Sequence, residues 1–476
     1  MGNASSTPSQ QCLLAAVGGD SSLVAFQGTL LYNTLTVNRY NLDIPVTPAA
    51  VTFPESVEQV AAIVKCAADA GYKVQARSGG HSYGNYGLGG DDGAIVVDLR
   101  HFQQFSMDES THIATVGAGT LLGDVTKRLH KAGRRAMAHG TCPQVGIGGH
   151  ATIGGLGPSS RLWGSALDHV LEAEVVLANS SIIRASETEN PDVFFAIKGA
   201  ASSFGIVTEF KVRTEPEPGA AVEYSYTFNF GDTASRAKTF KDWQAFVSDP
   251  NLTRKFSTIL TVFERSMIIS GTFFGTKAEF DAFRLESHFP QNQGSNVTVI
   301  DGYLGLVGHW AEEATLELGG GIPNAFYAKS LDFTPKTLIP SSTVDKLFEY
   351  LDTADKGTPL WFILFDLEGG AVNDVPVNAT AYAHRDALYW MQAYAVGLPR
   401  VSQTTRDFVN GIVNTITTGM PGARFGAYPG YVDRALANAQ QAYWGPNLPR
   451  LERIKAEIDP NDVFHNPQSV RPLAKK

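Results

Sequence analysis

Residues 77–90 read RSGGHSYGNYGLGG, a glycine- and serine-rich stretch with His81 and Tyr83 at its centre. Glycine permits left-handed turns and lets the backbone approach a ligand closely. Two further stretches are also rich in small residues, HGTCPQVGIGGHATIGGLGP at 139–158 and KGAASSFGIV at 198–207. Successive backbone N–H groups in such turns form anion-binding sites without the help of a lysine. Together the three loops predict a binding site for a ligand that carries phosphates.

The two common nucleotide-binding motifs do not account for these loops. No Gly-Lys-Ser/Thr follows any of them, as a P-loop requires. The letters VGIGGH at 145–150 come close to G-x-G-x-x-G, but they do not lead from a predicted strand into a helix as in a Rossmann unit. The loops therefore indicate neither of these folds.

The segments around the first loop alternate between strand and helix patterns. Residues 54–71, PESVEQVAAIVKCAADAG, predict a helix that Ser56 caps, with Gln59 completing a capping box. Strands predicted at 51–53 and 72–76 flank this helix. The expected arrangement is a βαβ unit.

Further along the chain the predicted elements change in character. GAIVVDLR at 93–100 is typical of a strand buried on both faces, and 171–186 predicts a hairpin. After Arg213, alternating runs such as YSYTFNF at 224–230 are interleaved with amphipathic helices, which indicates a second domain with a larger, mostly antiparallel sheet. From about residue 420 a C-terminal segment is expected to return to the first domain.

Length and charge restrict the class of protein. A chain of 476 residues exceeds the size of a single hydrophobic core, so we expect about two or three domains. The net charge of −9 and a pI near 5.7 argue against a nucleic-acid partner, which would need a basic surface. The longest apolar runs are the length of strands and too short to span a membrane.

Three cysteines allow one disulfide and one remaining thiol. A Cys12–Cys66 bond would tie the N-terminal segment to the first helix and leave Cys142 unpaired. Three separate buried thiols are the alternative.

The N-terminus and the glycosylation sequons suggest an export route. Gly2 and Ser6 formally match an N-myristoylation signal, but we interpret the start as a mature chain in which Met-Gly replaces a secretory signal peptide. We therefore expect a secreted glycoprotein. Five Asn-x-Ser/Thr sequons begin at Asn3, Asn179, Asn251, Asn296 and Asn378.

Taken together, these motifs resemble the vanillyl-alcohol oxidase/berberine bridge enzyme family of FAD oxidases, and within it the fungal gluco- and chito-oligosaccharide oxidases. The match covers about Val51 to Pro472, nearly the whole chain. The resemblance to the oligosaccharide oxidases is supported by three further stretches, FYAKS, AYAHRD and WFILFDLEGG. The motifs of the family occur in order: RSGGHSYGNYGLGG, HGTCPQVGIGGH, KGAASSFGIVTEF, YPGYVD, YWGPNL and IDPNDVFHNPQSV.

The resemblance implies an α+β protein. Residues 1–210 would form an FAD-binding domain of the VAO/PCMH type with two α+β subdomains. Residues 211–420 would form a substrate-binding domain whose large antiparallel sheet is covered by helices. Residues 421–476 would return to the FAD-binding domain.

The resemblance also implies a flavin bonded twice to the protein, through His81 at the 8α-methyl group and through Cys142 at C6. An imidazole nitrogen and a thiolate are nucleophiles able to add to an electron-poor ring. A histidine that only lines the site and an unmodified thiol are the alternatives. Cofactor contacts are assigned by the resemblance to Gly79, Gly80, Ser82, Gly148, Gly149, Gly154, Gly205, Ile206 and Val207; His150 lies within the second loop without an assigned role.

For catalysis, Tyr431 matches the base of the family, and Asp366 matches the acidic partner that accompanies it in the sugar oxidases. A phenol with a pKa near 10 is a poor base near neutrality unless its phenolate is stabilised or its proton is passed on. A carboxylate hydrogen-bonded to the phenol would serve this purpose.

The resemblance places Tyr83, Phe362 and Gln392 along a sugar-binding groove, and aromatic faces with a few fixed hydrogen bonds suit sugars. Three positions depart from the sugar oxidases, and one of them is Gly430, which stands where their motif has an asparagine. Leu364 stands where they carry a glutamine, and Thr261 where a strand supplies a glutamate. These changes make the groove more apolar and put the sugar specificity in doubt.

The function implied is oxidation of the C1 hydroxyl of a mono- or oligosaccharide to a lactone, with O2 reduced to H2O2. The alternative is an oxidase of an alcohol or natural product in secondary metabolism, and a non-catalytic carbohydrate- or flavin-binding protein is a third class. We expect a monomer without metal, membrane or nucleic-acid partners.

Overall fold

The computed structural model describes residues 7–318 and 321–473. The Gly2–Ser6 match and the Asn3 sequon lie outside these residues. Among the helices described, none combines the length and the apolarity needed to cross a bilayer.

The predicted βαβ unit forms a four-stranded sheet in the order β1-β2-β4-β3, in which β2, β4 and β3 run parallel. Ser56 caps helix α2 by accepting from the Gln59 N–H. The Gln59 side chain accepts from the Glu55 N–H, so the predicted capping box is not formed in its usual way. The elements are α1 (Pro8–Ala16), β1 (Val24–Phe26), β2 (Ala50–Thr52), α2 (Val57–Asp69), β3 (Val74–Arg77) and β4 (Ile95–Asp98).

A disulfide joins α1 to α2. Cys12 and Cys66 are bonded, with their Cα atoms 5.8 Å apart, and Cys142 is free. The pairing predicted from the cysteine count is thus confirmed.

The second sheet has five antiparallel strands in the order β5-β6-β10-β8-β9, and β8 and β9 form the predicted hairpin. A small β7–β11 pair lies beside it. The elements are β5 (Phe105–Asp108), β6 (Ile113–Gly117), α3 (Leu122–Lys131), β7 (Arg135–Ala136), α4 (Ile147–His150), α5 (Ser160–Trp163), β8 (Val170–Val176), β9 (Ile182–Ser186), α6 (Pro191–Ala200), β10 (Ile206–Arg213) and β11 (Glu215–Pro216).

The third sheet has seven strands, all antiparallel, in the order β15-β12-β14-β13-β17-β18-β16. The elements are β12 (Ala221–Asn229), α7 (Thr233–Val247), β13 (Ile259–Val262), β14 (Ser266–Phe273), α8 (Lys277–Ala282), β15 (Gly294–Ile300), α9 (Tyr303–Leu318), β16 (Phe326–Phe333), α10 (Ser341–Thr353), β17 (Trp361–Leu367), β18 (Tyr389–Val396) and α11 (Gln403–Gly419).

Strand alternation gives the third sheet two different faces. Ile363, Phe365 and Leu367 of β17 pack in one core with helices α7, α10 and α11. Phe362 and Leu364, on the opposite face, belong to a separate aromatic cluster. The opposite face carries α9 at its β12–β14 end, where Trp310 donates to Thr272, and at β17 and β18 it is available to build a site.

The C-terminal segment contains α12 (Ala439–Trp444) and α13 (Leu448–Ile458). Its tail contacts the first sheet, where Phe464 forms a parallel bridge to Val74 and the Val463 carbonyl accepts from the Val74 N–H. The mixed architecture with a large helix-covered antiparallel sheet confirms the predicted fold class. The domain boundaries at 210 and 420 stay predictions.

Two of the glycine loops touch backbone to backbone. A Cβ on Gly79 would lie 2.3 Å from the Gly146 nitrogen, and a Cβ on Gly146 would lie 2.1 Å from the Gly79 nitrogen. Only glycine fits at both positions. This close approach brings the loop with His81 and the loop with Cys142 to the same place.

Candidate active site

A cavity of about 400 Å³ lies between the glycine loops and the face of the seven-stranded sheet that carries Phe362 and Leu364. Its lining contains both side chains proposed to bond the flavin and both proposed catalytic groups. Of the residues singled out from the sequence, those that line it are Gly79, Gly80, His81, Ser82, Tyr83, Cys142, Gly149, Phe362, Leu364, Asp366, Gln392 and Tyr431.

The floor of the cavity comes from adjacent strands β17 and β18. Leu364 lies opposite Gln392 and Phe362 lies opposite Tyr394, so these side chains share a face of the sheet. The Phe362 and Tyr394 rings stack with centroids 4.9 Å apart. The Gln392 Nε2 donates to the Tyr83 hydroxyl over 3.0 Å and ties the floor to the first glycine loop.

His81 and Cys142 approach the cavity from the glycine loops. Burial lowers the pKa of His81 to about 4, so its imidazole is neutral at physiological pH. Within the described residues neither ring nitrogen of His81 has a hydrogen-bond partner, and the Tyr40 ring packs 4.6 Å from it. Burial also raises the pKa of the Cys142 thiol, against a weaker effect of a hydrogen bond with Thr141. Both side chains are therefore mainly neutral before any reaction.

Tyr431 and Asp366 are two coupled acids beside the floor. Burial raises the pKa of Asp366 to about 7. Burial first, and the neighbouring charge of Asp366 second, raises the pKa of Tyr431 well above its usual value. Because each anion disfavours the other, the pair accommodates one negative charge more easily than two.

A further carboxyl group, Glu368, lies near this pair and is buried. Burial, followed by the charge of Asp366, raises its pKa well above the usual range. Within the described residues its Oε2 atom has no hydrogen-bond partner. Burial therefore holds the pKa of both carboxyl groups above the usual range, and the pair accommodates one negative charge more easily than two.

His150 lines the cavity and has a defined tautomer. Its Nε2 accepts from the Gly140 N–H over 2.9 Å, so the ring proton is on Nδ1. Burial lowers its pKa to about 3. His150 thereby holds the backbone two residues before Cys142.

Six other residues singled out from the sequence lie away from the cavity lining. Gly148 packs against the Ala118 carbonyl, and Gly154 lies between Tyr382 and Tyr428. Thr261 is buried on β13 opposite Leu364. The third loop contributes Ser202 to the cavity lining, whereas Gly205 packs on Val175, and Ile206 and Val207 are the buried start of β10.

Several lining residues escaped sequence reasoning, chiefly Tyr40, Trp390, Tyr394 and Tyr428. Tyr394 had a signal, since it lies two positions after Gln392 in a strand and must share its face. Tyr40 had none, because it lies in an irregular segment that reaches the site through contacts distant in sequence.

Two family models match the chain. The FAD binding domain matches residues 48–186, and the berberine and berberine-like model matches residues 427–471. The FAD-linked oxidoreductase sorD of Penicillium rubens is 46% identical over 97% of this chain and 98% of that protein. The chain belongs to the vanillyl-alcohol oxidase/berberine bridge enzyme family.

Solved structures of this family share the whole fold. The xylooligosaccharide oxidase from Myceliophthora thermophila C1, in complex with xylobiose, has a TM-score of 0.90 at 33% identity over 98% of this chain and all of that one. Glucooligosaccharide oxidase from Acremonium strictum, described for its 6-S-cysteinyl, 8α-N1-histidyl FAD, has a TM-score of 0.89 at 31% identity over 98% and 100%. As a member of the family, the protein is an FAD-dependent oxidoreductase.

The residues present fit FAD. Gly149 lines the cavity, and a Cβ placed on it meets no atom within 4 Å, so a side chain there would enter open space. The backbone of residues 78–82 borders the same space. The unpartnered imidazole of His81 and the Cys142 thiol supply two nucleophiles at its edge. The structure thus offers a backbone cradle with an imidazole and a thiol beside it.

Proposed function

We propose that one FAD is bonded to both His81 and Cys142. The support is that both nucleophiles line one cavity in a family that includes a glucooligosaccharide oxidase with a 6-S-cysteinyl, 8α-N1-histidyl FAD. Each bond replaces one flavin hydrogen with one side-chain atom. The formation of each bond releases two electrons and two protons, which one O2 takes up. Neutral His81 has a free lone pair for this reaction, whereas Cys142 must first lose its proton.

We infer that Tyr431 removes the hydroxyl proton of the substrate. When bound, FAD accepts the hydride from the same carbon and passes the electrons to O2. Asp366 supports Tyr431 because a carboxyl group with a pKa of about 7 takes up a proton readily when ionised. The observation that carries this proposal is the convergence of His81, Cys142, Tyr431 and Asp366 on one cavity.

The leading substrate is a mono- or oligosaccharide oxidised at C1 to a lactone. Phe362, whose ring stacks on Tyr394, lines the cavity with an aromatic side chain that suits the apolar face of a sugar ring, and Gln392 provides an amide beside it. Relatives named as xylo- and glucooligosaccharide oxidases share the whole fold.

A second candidate is an alcohol with a flat, apolar body. Phe326, Tyr394 and Phe362 form a continuous stack, with 4.7 Å and 4.9 Å between successive ring centroids. Leu364 and Ile259 complete an apolar floor, and the amide nitrogen of Gln392 is already bonded to Tyr83. A buried hydroxyl without a partner costs about 1–3 kcal/mol, so a floor with few polar groups favours substrates with few hydroxyls.

One experiment separates the two substrates. The protein is mixed without oxygen with cello-, xylo-, malto- and chito-oligosaccharides and, separately, with aromatic and terpenoid alcohols, and the flavin absorbance is followed. Bleaching of the flavin by a sugar supports a mono- or oligosaccharide as the substrate. Bleaching only by the apolar alcohols establishes the second candidate, and no bleaching by either class contradicts both.

We also propose that the protein is a secreted monomer. The asparagines of the four described sequons, at 179, 251, 296 and 378, are all exposed, and a Cys12–Cys66 disulfide suits an oxidising compartment. Expression in a eukaryotic host should give a protein whose mass falls on treatment with an N-glycosidase. An unchanged mass would contradict glycosylation, and a dimer mass in light scattering would contradict the monomer.

A further inference from the structure

Two buried asparagines, Asn41 and Asn85, join the first glycine loop to the segment that carries Tyr40. The Asn85 Oδ1 accepts from the backbone N–H of Tyr40 over 3.2 Å and of Asn41 over 3.1 Å. Its Nδ2 donates to the carbonyls of Asn41 and Ile44 over 2.9 and 3.0 Å. All four hydrogen-bonding positions of the amide are used, which fixes its orientation.

Asn41 is bonded in the same complete way. Its Nδ2 donates to the carbonyls of Tyr83 and Phe326, each over 3.1 Å. Its Oδ1 accepts from the N–H of Asp43 over 3.0 Å and of Phe326 over 3.4 Å. One side chain therefore links the loop with His81 to the first residue of β16, which belongs to the seven-stranded sheet.

The residues held by these amides line the cavity. Tyr40 and Tyr83 border it together with His81, and the Tyr40 ring packs 4.6 Å from the His81 ring. Asn85 itself has a positive φ of 55° and donates its N–H to the Ser82 carbonyl, which closes the turn after His81. A shift of either amide would move the imidazole through both its chain and its neighbouring ring.

We propose that Asn41 and Asn85 are positioning residues that hold the His81 imidazole and the Tyr83 ring in place for flavin attachment and substrate binding. This rests on the proposed attachment of FAD at His81. Displacement of a reacting group by about 1 Å slows a reaction by about 100-fold. The Cys142 loop has no hydrogen bond to either amide among those described, so its own attachment should be less affected.

Asn85→Asp tests the proposal at constant size. A carboxylate oxygen in place of Nδ2 would face the carbonyls of Asn41 and Ile44, and two acceptors cannot satisfy a buried anion. Asn447→Asp is the matched control. Its buried Nδ2 likewise donates to backbone carbonyls, those of Val377 and Thr380, but Asn447 does not line the cavity.

The readout is the flavin content of two tryptic peptides, 78–100 with His81 and 136–161 with Cys142. In Asn85→Asp the flavin-linked fraction of the His81 peptide should fall at least tenfold while the Cys142 peptide keeps its flavin. In Asn447→Asp both peptides should stay linked, even at an equal loss of thermal stability. Asn85→Ala, which removes the bonds without adding charge, should repeat the effect.

Three outcomes would overturn the proposal. One is a folded Asn85→Asp or Asn85→Ala variant with both peptides linked as in the wild type. Another is an equal loss at both peptides, which would indicate general damage. The third is failure of both Asn85 variants to fold while the Asn447 variant folds, since the pair would then serve only the fold. A wild-type protein with no flavin on its His81 peptide would instead refute the attachment itself, and this proposal with it.

Discussion

At the scale of single residues, Tyr431 is the group on which the proposed chemistry depends most. Its hydroxyl is the proposed acceptor of the substrate proton, and proton transfer by a positioned side chain contributes about 10²–10⁴ in rate. Tyr431→Phe should therefore slow anaerobic flavin reduction by about that factor and leave the visible spectrum nearly unchanged. Tyr350→Phe is the control, because that hydroxyl bonds to the Phe408 carbonyl and does not line the cavity. Wild-type reduction rates in Tyr431→Phe would exclude it as the base.

Asp366 should give flavin reduction a pH dependence. Burial raises its pKa to about 7 from 3.8, so the carboxylate that we propose accepts the Tyr431 proton forms as the pH rises through 7. The rate of flavin reduction should increase as the pH rises through 7. In Asp366→Asn flavin reduction should be slow and should not increase over this pH range. If the rate in the variant still increased with pH as in the wild type, the pH dependence would belong to another group.

The raised pKa of Asp366 also affects the stability of the fold, which should decrease with pH where the rate increases. The folded state holds the Asp366 proton up to about pH 7, whereas the unfolded state releases it near pH 4. This group therefore stabilises the fold at low pH, and its contribution is lost as the pH rises from about 4 to 7. Asp366→Asn should be less sensitive to pH in thermal denaturation over that interval.

At the scale of elements, the short helix α4 and its Gly149 should determine cofactor binding. Gly149→Leu leaves the protein interior undisturbed, because a Cβ at this position meets no atom within 4 Å, but its side chain would occupy space next to the cavity. We expect normal folding and a flavin content at least tenfold lower, measured from the ratio of flavin to protein absorbance. Gly219→Leu, also in open space and away from the cavity, is the control. Full flavin content in Gly149→Leu would place the cofactor elsewhere.

The disulfide between α1 and α2 should matter for stability rather than for the site. Cys12 and Cys66 are separated by 54 positions, and closing a loop of this size stabilises a protein by about 2–5 kcal/mol. Replacing both with serine should lower the melting temperature by several degrees. Flavin attachment should persist, because neither cysteine lines the cavity; its loss would reveal a coupling that the fold does not explain.

Sequence patterns predicted these elements where local signals were strong. The helix at 57–69 and the buried strand at 95–98 were recognisable because caps and apolar periodicity are local. The third loop was a harder case. The contact of Ile206 and Val207 with the cofactor stays a prediction, and their apolar side chains pack in the core at the start of β10. Thr261 pairs with Leu364 of β17 and shares its face of the sheet, outside the cavity lining; its contact with a substrate stays a prediction.

At the scale of the whole molecule, the site depends on contacts between distant parts of the chain. His81 and Cys142 were predictable from glycine-rich motifs and a family resemblance. Tyr40 was not, because its N–H and that of Asn41 donate to the side chain of Asn85, which is distant in sequence, and this holds Tyr40 at the cavity. The alternation of β17 then separates a helix-covered core from the apolar floor of the cavity. We expect this floor, which no local pattern describes, to determine the substrate.

The most direct test of the account is mass spectrometry of the denatured, trypsin-digested protein. Because His81 and Cys142 lie on different tryptic peptides, 78–100 and 136–161, a flavin bonded to both must join them. We predict a single species containing both peptides and one FAD, which separates into singly linked peptides in His81→Ala and Cys142→Ala. Release of all FAD on denaturation, or its attachment to only one peptide in the wild type, would contradict the account.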